Sequence, residues 1–162
     1  TGTAALADRS FMTLSGGEKQ RVIIASALAQ FGHSPLDVPA ELAPEILLLD
    51  EPTASLDLGY QMEISATLRR LNAKRGITMI VSTHDLNFAA SICQKVVLLR
   101  DGRILAAGEL DTVLNPKNIS RLYDVDASVD RHPLSGQLSI VPFRRQLPPS
   151  VASQYSSTKE SM

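Results

Sequence analysis

Asp50 and Glu51 are adjacent carboxylates that end the aliphatic run Ile46-Leu47-Leu48-Leu49 and stand before Pro52. A short apolar run bounded by proline reads as a strand, expected to be buried on both faces as in a parallel sheet. Two charges at the end of a buried strand are costly unless a cation or a polar cleft receives them. Open α/β sheets bind ligands at the carboxyl ends of their strands. Asp50 is therefore placed to hold Mg²⁺, directly or through water. Glu51 is placed to polarise an attacking water as a general base. A capping pair at a strand–loop junction would put the same residues here.

His84 ends a second aliphatic run, Ile77 to Ser82, followed by Thr83-His84-Asp85. A histidine beside phosphate chemistry donates a hydrogen bond to the γ-phosphate or its nucleophile, although a lone histidine is more often structural. The third piece is Leu14-Ser15-Gly16-Gly17-Glu18-Lys19-Gln20. Two glycines at the start of a helix let a ligand approach the backbone, and the helix N-terminus offers N–H groups and partial positive charge. Ser15 adds a hydroxyl. An ordinary serine/glycine helix cap has the same composition.

These residues need a frame. A helix opens at Ser15-Gly16-Gly17, with Val22, Ile23, Ala27 and Leu28 as its apolar face. Residues 31–45, with three prolines and Gly32, read as a loop. From Leu58 to Arg75, the positions Met62, Ile64, Leu68 and Leu71 predict an amphipathic helix that Gly76 stops. Its charges Arg69, Arg70, Lys74 and Arg75 read as a solvated face. Leu86 to Gln94 predicts a short helix, and Val96–Leu99 with Arg103–Ala107 a hairpin turning at Asp101-Gly102. Two short helices are expected around 110–114 and 117–122, and a disordered tail from Arg144. Strand, helix, strand, helix specifies an α/β class, a parallel sheet flanked by helices with an appended hairpin.

Composition narrows the partners. With 16 basic and 17 acidic residues the formal net charge is −1, so nothing points to nucleic acid. The single cysteine, Cys93, excludes an internal disulfide framework and reads as core. His33 and His132 fall in loops without partners at metal-ligand spacing. The longest apolar runs fall far short of the roughly 20 residues of a membrane helix, and no signal peptide opens the chain. Contact with a membrane is expected through a partner.

Taken together, the pieces resemble ATP-binding-cassette (ABC) ATPases over residues 1–123. Leu14 to Gln20 is similar to that family's signature motif, Ile46 to Pro52 to its Walker B strand, Ser55-Leu56-Asp57 to its D-loop, and Ser82-Thr83-His84-Asp85 to its switch-histidine segment. The resemblance implies the C-terminal part of a P-loop ATPase domain over 1–143, with 144–162 as tail. It implies ATP and Mg²⁺ as cofactors, with Asp50 on the metal, Glu51 as catalytic base and His84 beside it. It further implies that Ser15, Gly16 and Gly17 contact the γ-phosphate of ATP held by the opposite subunit, with Gln20 and Asp57 also among the nucleotide-binding residues. No G-x-x-x-x-G-K-S/T occurs in the sequence. That loop cradles the phosphates in this family, so a fragment is expected, inactive in isolation.

Within the family, Thr83-His84-Asp85-Leu86-Asn87 and Gly108-Glu109 leading to Val113-Leu114-Asn115-Pro116 and Leu122-Tyr123 resemble importers of iron–siderophore, haem and cobalamin. So do His132-Pro133-Leu134-Ser135-Gly136 and Val141-Pro142, particularly the haem members. The implied partners are a second, identical ATPase subunit and transmembrane permease subunits. The implied place is peripheral, at the cytoplasmic face of the plasma (inner) membrane. A DNA-repair or translation ATPase of the same family is the competing class. Repair members carry a long coiled coil before the signature and translation members repeat the cassette; neither pattern is present.

Overall fold

The computed structural model describes residues 2–30, 46–54 and 56–146. The expected loop at 31–45, His33, Ser55 and the tail from 147 onward lie outside the described residues. The chain divides into two compact units, Thr1–Phe88 and Ala89–Met162.

The first unit holds every candidate site residue. Two single 3₁₀ turns, Ala4–Leu6 and Phe11–Thr13, lead into α1 (Gly16–Ala29). Arg21 and Ile24 are buried on α1, while Ile23, expected on the apolar face, is exposed. β1 (Ile46–Asp50) and β2 (Thr78–Ser82) pair in parallel, joined through α2 (Leu58–Arg75). Ile64 and Leu68 carry the packing of α2, each 1% exposed, whereas Met62 is exposed. Gly76 ends the helix in the left-handed region at φ 65°, its N–H donating to the Asn72 carbonyl, and Lys74 and Arg75 oppose the helix's negative end.

The strands depart from the expectation of burial on both faces. Leu47 and Leu49 are buried, but Ile46 and Leu48 are 56% and 70% exposed, and Ile80 on β2 is 59% exposed. Side chains alternate across a sheet, and among the described residues only one face of this two-stranded sheet is covered.

The second unit begins within α3 (Leu86–Ile92), two residues shorter than expected. β3 (Lys95–Arg100) and β4 (Arg103–Glu109) form the expected hairpin, with Asp101 and Gly102 both at positive φ, 52° and 71°. Both central residues of a type I′ turn need that conformation. α4 (Leu110–Val113) and α5 (Pro116–Tyr123) follow near their expected places. Asn115 caps α5 by accepting from the Asn118 N–H, and Pro116 sits at its first turn. Arg100 donates to both carboxylate oxygens of Asp124 at 2.9 and 2.7 Å, tying β3 to the end of α5. A second hairpin, β5 (Val125–Arg131) with β6 (Leu138–Arg145), was not expected. Arg144 and Arg145, expected to open the tail, belong to β6; Arg144 pairs with Asp126 across the ladder.

Candidate functional site

β1 and β2 run in register, so Asp50 stands opposite Ser82. The Ser82 hydroxyl donates to Asp50 Oδ1. The ladder extends one step further: the Glu51 N–H donates to the Ser82 carbonyl at 3.0 Å. There the backbone turns sharply, with Glu51 at φ 44°, a region that residues with a Cβ seldom enter. The turn carries the Glu51 side chain across to β2's end. Its Oε1 accepts from the His84 N–H at 3.1 Å, and both its oxygens lie 2.9 Å from His84 Nδ1. The hydrogen bond to Glu51 raises the His84 pKa above its ordinary 6.5, with the charges of Glu51 and Asp85 adding to it and partial desolvation opposing it. An ionised carboxylate only accepts, so in this contact Nδ1–H is the donor. Two strand ends thus bring Asp50, Glu51, Ser82 and His84 into one cluster.

The signature segment forms a capping box at the start of α1. Ser15 Oγ accepts from the Glu18 N–H at 3.3 Å and Glu18 Oε2 accepts from the Ser15 N–H at 2.8 Å. Arg9 pairs with Glu18 at 2.7 Å. The Ser15 backbone N–H is the largest influence holding the Glu18 carboxyl below its ordinary pKa; the Ser15 hydroxyl and Arg9 act the same way against some desolvation. The N–H groups of Gly16 and Gly17 are first-turn donors that helix geometry leaves unpaired. Among the described residues no acceptor meets them.

Behind this first turn, Gln20 Nε2 donates to the Glu51 carbonyl at 3.5 Å. Arg21 is buried, its guanidinium stacked 3.7 Å from the Tyr60 ring centre of α2. Asp57 begins α2, Oδ1 accepting from the Tyr60 N–H at 3.1 Å. Gln61 closes the loop between β1 and α2 by donating to the Thr53 and Leu56 carbonyls. Sequence reasoning singled out neither Ser82 nor Gln61. Ser82 carried a signal, a polar residue ending an apolar strand, but its role depends on a register that a single strand does not reveal.

Among the described residues no group of three or more His, Cys, Asp or Glu side chains could hold a metal ion. The donors at this site, the Asp50 carboxylate and the Ser82 hydroxyl, are few and hard. That fits Mg²⁺, which keeps several waters and is bound by one or two carboxylates together with substrate phosphates.

The fold that carries these residues is found in known structures. The structure superposes with a TM-score of 0.68 on a solved metal-chelate type ABC transporter in an inward-facing conformation, at 30% identity over 86% of this chain and 52% of that one. A dimeric bacterial ABC transporter cassette, MJ0796, matches with a TM-score of 0.55 at 34% identity over 66% of this chain and 40% of its own. The fold is that of an ABC ATPase cassette. In sequence, this chain is 45% identical over 141 residues to the hemin import ATP-binding protein HmuV of Gloeobacter violaceus, 87% of this chain and 49% of the relative. It is 38% identical over 142 residues to the cobalamin import ATP-binding protein BtuD of Halobacterium salinarum, 88% of this chain and 33% of the relative. The chain thus spans about half the length of the hemin-import relative and a third of the cobalamin-import one. No model of a known protein family matches the sequence.

Proposed function

We propose that this chain is part of the ATP-hydrolysing subunit of an importer that takes up a metal chelate, of the iron–siderophore, haem or cobalamin class. The observation that carries the reading is the cluster at the two strand ends, Glu51 held by His84 beside Asp50 and Ser82. The hemin and cobalamin import names of its relatives supply the class.

In this reading Glu51 takes the proton of the attacking water. A carboxylate offers about four lone-pair sites, so the two His84 contacts orient it and leave acceptor capacity for water. His84, exposed and hydrogen-bonded to Glu51, faces the transferred phosphoryl group. Mg²⁺ bound at Asp50 would neutralise charge on the phosphates. Ser15 and the Gly16 and Gly17 N–H groups reach the γ-phosphate of a nucleotide on a second, identical subunit, whose closure drives transmembrane permease subunits at the cytoplasmic face. Among the described residues no helix is long and apolar enough to cross a membrane.

The test is phosphate release by a complete cassette, this chain joined to the N-terminal half of a hemin-import relative. Glu51→Gln keeps the shape but loses the proton acceptor, and should lower turnover by about 10²–10⁴-fold while ATP still binds. Wild-type turnover in that variant overturns the base assignment. Uptake of hemin or cobalamin into vesicles, with the permease present, tests the cargo class.

A further inference from the structure

We propose that Gln20 is a positioning residue for Glu51: from within the signature helix, its amide holds the Glu51 peptide in the strained turn that aims the carboxylate. The inference rests on the reading of Glu51 as general base.

A non-glycine residue at φ 44° persists only where its surroundings over-determine it. Three restraints on Glu51 come from its own neighbourhood at the strand ends. Its N–H is held by the Ser82 carbonyl, its carbonyl by the Ala54 N–H at 3.2 Å, and its carboxylate by His84. The fourth comes from α1, a separate element 31 residues away: Gln20 Nε2 donates to the same carbonyl that Ala54 holds. Both partners of this bond are partly buried, which limits competition from water.

The placement of Gln20 gives the contact its consequence. Gln20 lies one helical turn beyond Gly16, so it belongs to the rigid body whose first turn carries Ser15, Gly16 and Gly17. Its neighbour Arg21 anchors that body against Tyr60 on α2. A ligand drawn onto the helix start moves Gln20 with it. At 3.5 Å the Gln20 contact is longer than the usual N–H···O range of about 2.7–3.2 Å and has room to tighten. The signature of one subunit then acts twice: outward on its partner's nucleotide, inward on the orientation of its own base. Gln20 touches no reacting atom in this scheme, in contrast to the nucleotide contact expected of it from the family resemblance.

Gln20→Met keeps the length and helix preference of the side chain and removes the donor; Gln20→Lys puts a donor back on an unbranched stem. In the complete cassette, Gln20→Met should lower kcat by about ten- to a hundredfold, with KM for ATP within about twofold of wild type and an unchanged melting temperature. Gln20→Lys should recover most of the loss. In the chain itself, hydrogen exchange should quicken at the Ala54 and His84 amides in Gln20→Met and not within α1. Wild-type kcat in Gln20→Met, where Glu51→Gln abolishes turnover, overturns the proposal and leaves the base assignment standing. A raised KM with kcat intact also overturns it, in favour of direct nucleotide contact. If Glu51→Gln itself turns over normally, the base assignment fails and the role of Gln20 falls with it.

Discussion

Gly17→Asp separates the folding role of the signature from its proposed action on a partner's nucleotide, because the two effects have opposite signs. Gly17 is the second residue of α1, half-buried, in a turn whose cap is already satisfied by Ser15 and Glu18. Replacing a helical glycine with aspartate recovers roughly 0.3 kcal/mol of propensity. A carboxylate in the first turn gains about 0.3–1 kcal/mol from the helix dipole, less whatever its neighbour Glu18 repels. The variant should therefore fold at least as stably, with a melting temperature raised by roughly 2 °C for a chain of this size. The same carboxylate would face the γ-phosphate. Two unit charges about 5 Å apart at an effective dielectric of 20 repel by about 3 kcal/mol, roughly a hundredfold in the association constant. The assay is ATP-driven dimerisation of the complete cassette, followed by light scattering in a Glu51→Gln background so that hydrolysis does not reopen the dimer, with thermal melts alongside. A variant that still dimerises on ATP, or that fails to dimerise while melting well below the parent, refutes the trans-phosphate role of residues 15–17.

Three other outcomes follow from the structure. Leu68→Ala removes a side chain only 1% exposed on α2 and should cost about 2–5 kcal/mol, read as a shift in the urea midpoint at unchanged slope. The His84 imidazole should titrate above 6.5 by NMR, and Glu51→Gln should bring it back down. Because the folded value is raised, the stabilisation from this contact is fully present below about pH 6.5 and is lost as pH rises through the folded value. A chain without G-x-x-x-x-G-K-S/T should bind ATP weakly and hydrolyse it negligibly by itself; micromolar affinity by calorimetry, or steady turnover abolished by Glu51→Gln, would contradict this.

The strand ends were legible because chemistry and punctuation coincide there: an aliphatic run, then Asp50-Glu51 before proline, and a second run ending ahead of His84. That the two strands pair in parallel agrees with the expectation. Which faces are covered was not legible, since an aliphatic run does not state how many layers lie against it, and Leu48 proved exposed where Leu47 is buried. The first hairpin was announced by Asp101-Gly102. The second was concealed by its own composition. Asp126 and Asp130 are poor strand formers, and Pro142 is admitted only where the ladder is irregular or at an edge; it pairs with Ala127 beside a register shift. The Gln20–Glu51 contact joins residues 31 apart through a side chain and a backbone carbonyl. No spacing rule reports a bond of that kind.

The half-covered sheet has a consequence for how substitutions are tolerated. With one layer against β1, polar replacements should be damaging at Leu47 and Leu49 and nearly neutral at Ile46 and Leu48, giving a fitness profile with a period of two residues. A second layer against the other face would erase that alternation and make all four aliphatic positions intolerant. A saturation scan of residues 46–49, scored for soluble yield in this chain and again in a complete cassette, therefore reads the number of layers around β1 from tolerance alone. Among the described residues the apolar side chains of Ile46, Leu48 and Ile80 are exposed, and contiguous apolar surface promotes self-association, so the soluble concentration of the chain is a second measure of how far that face is covered.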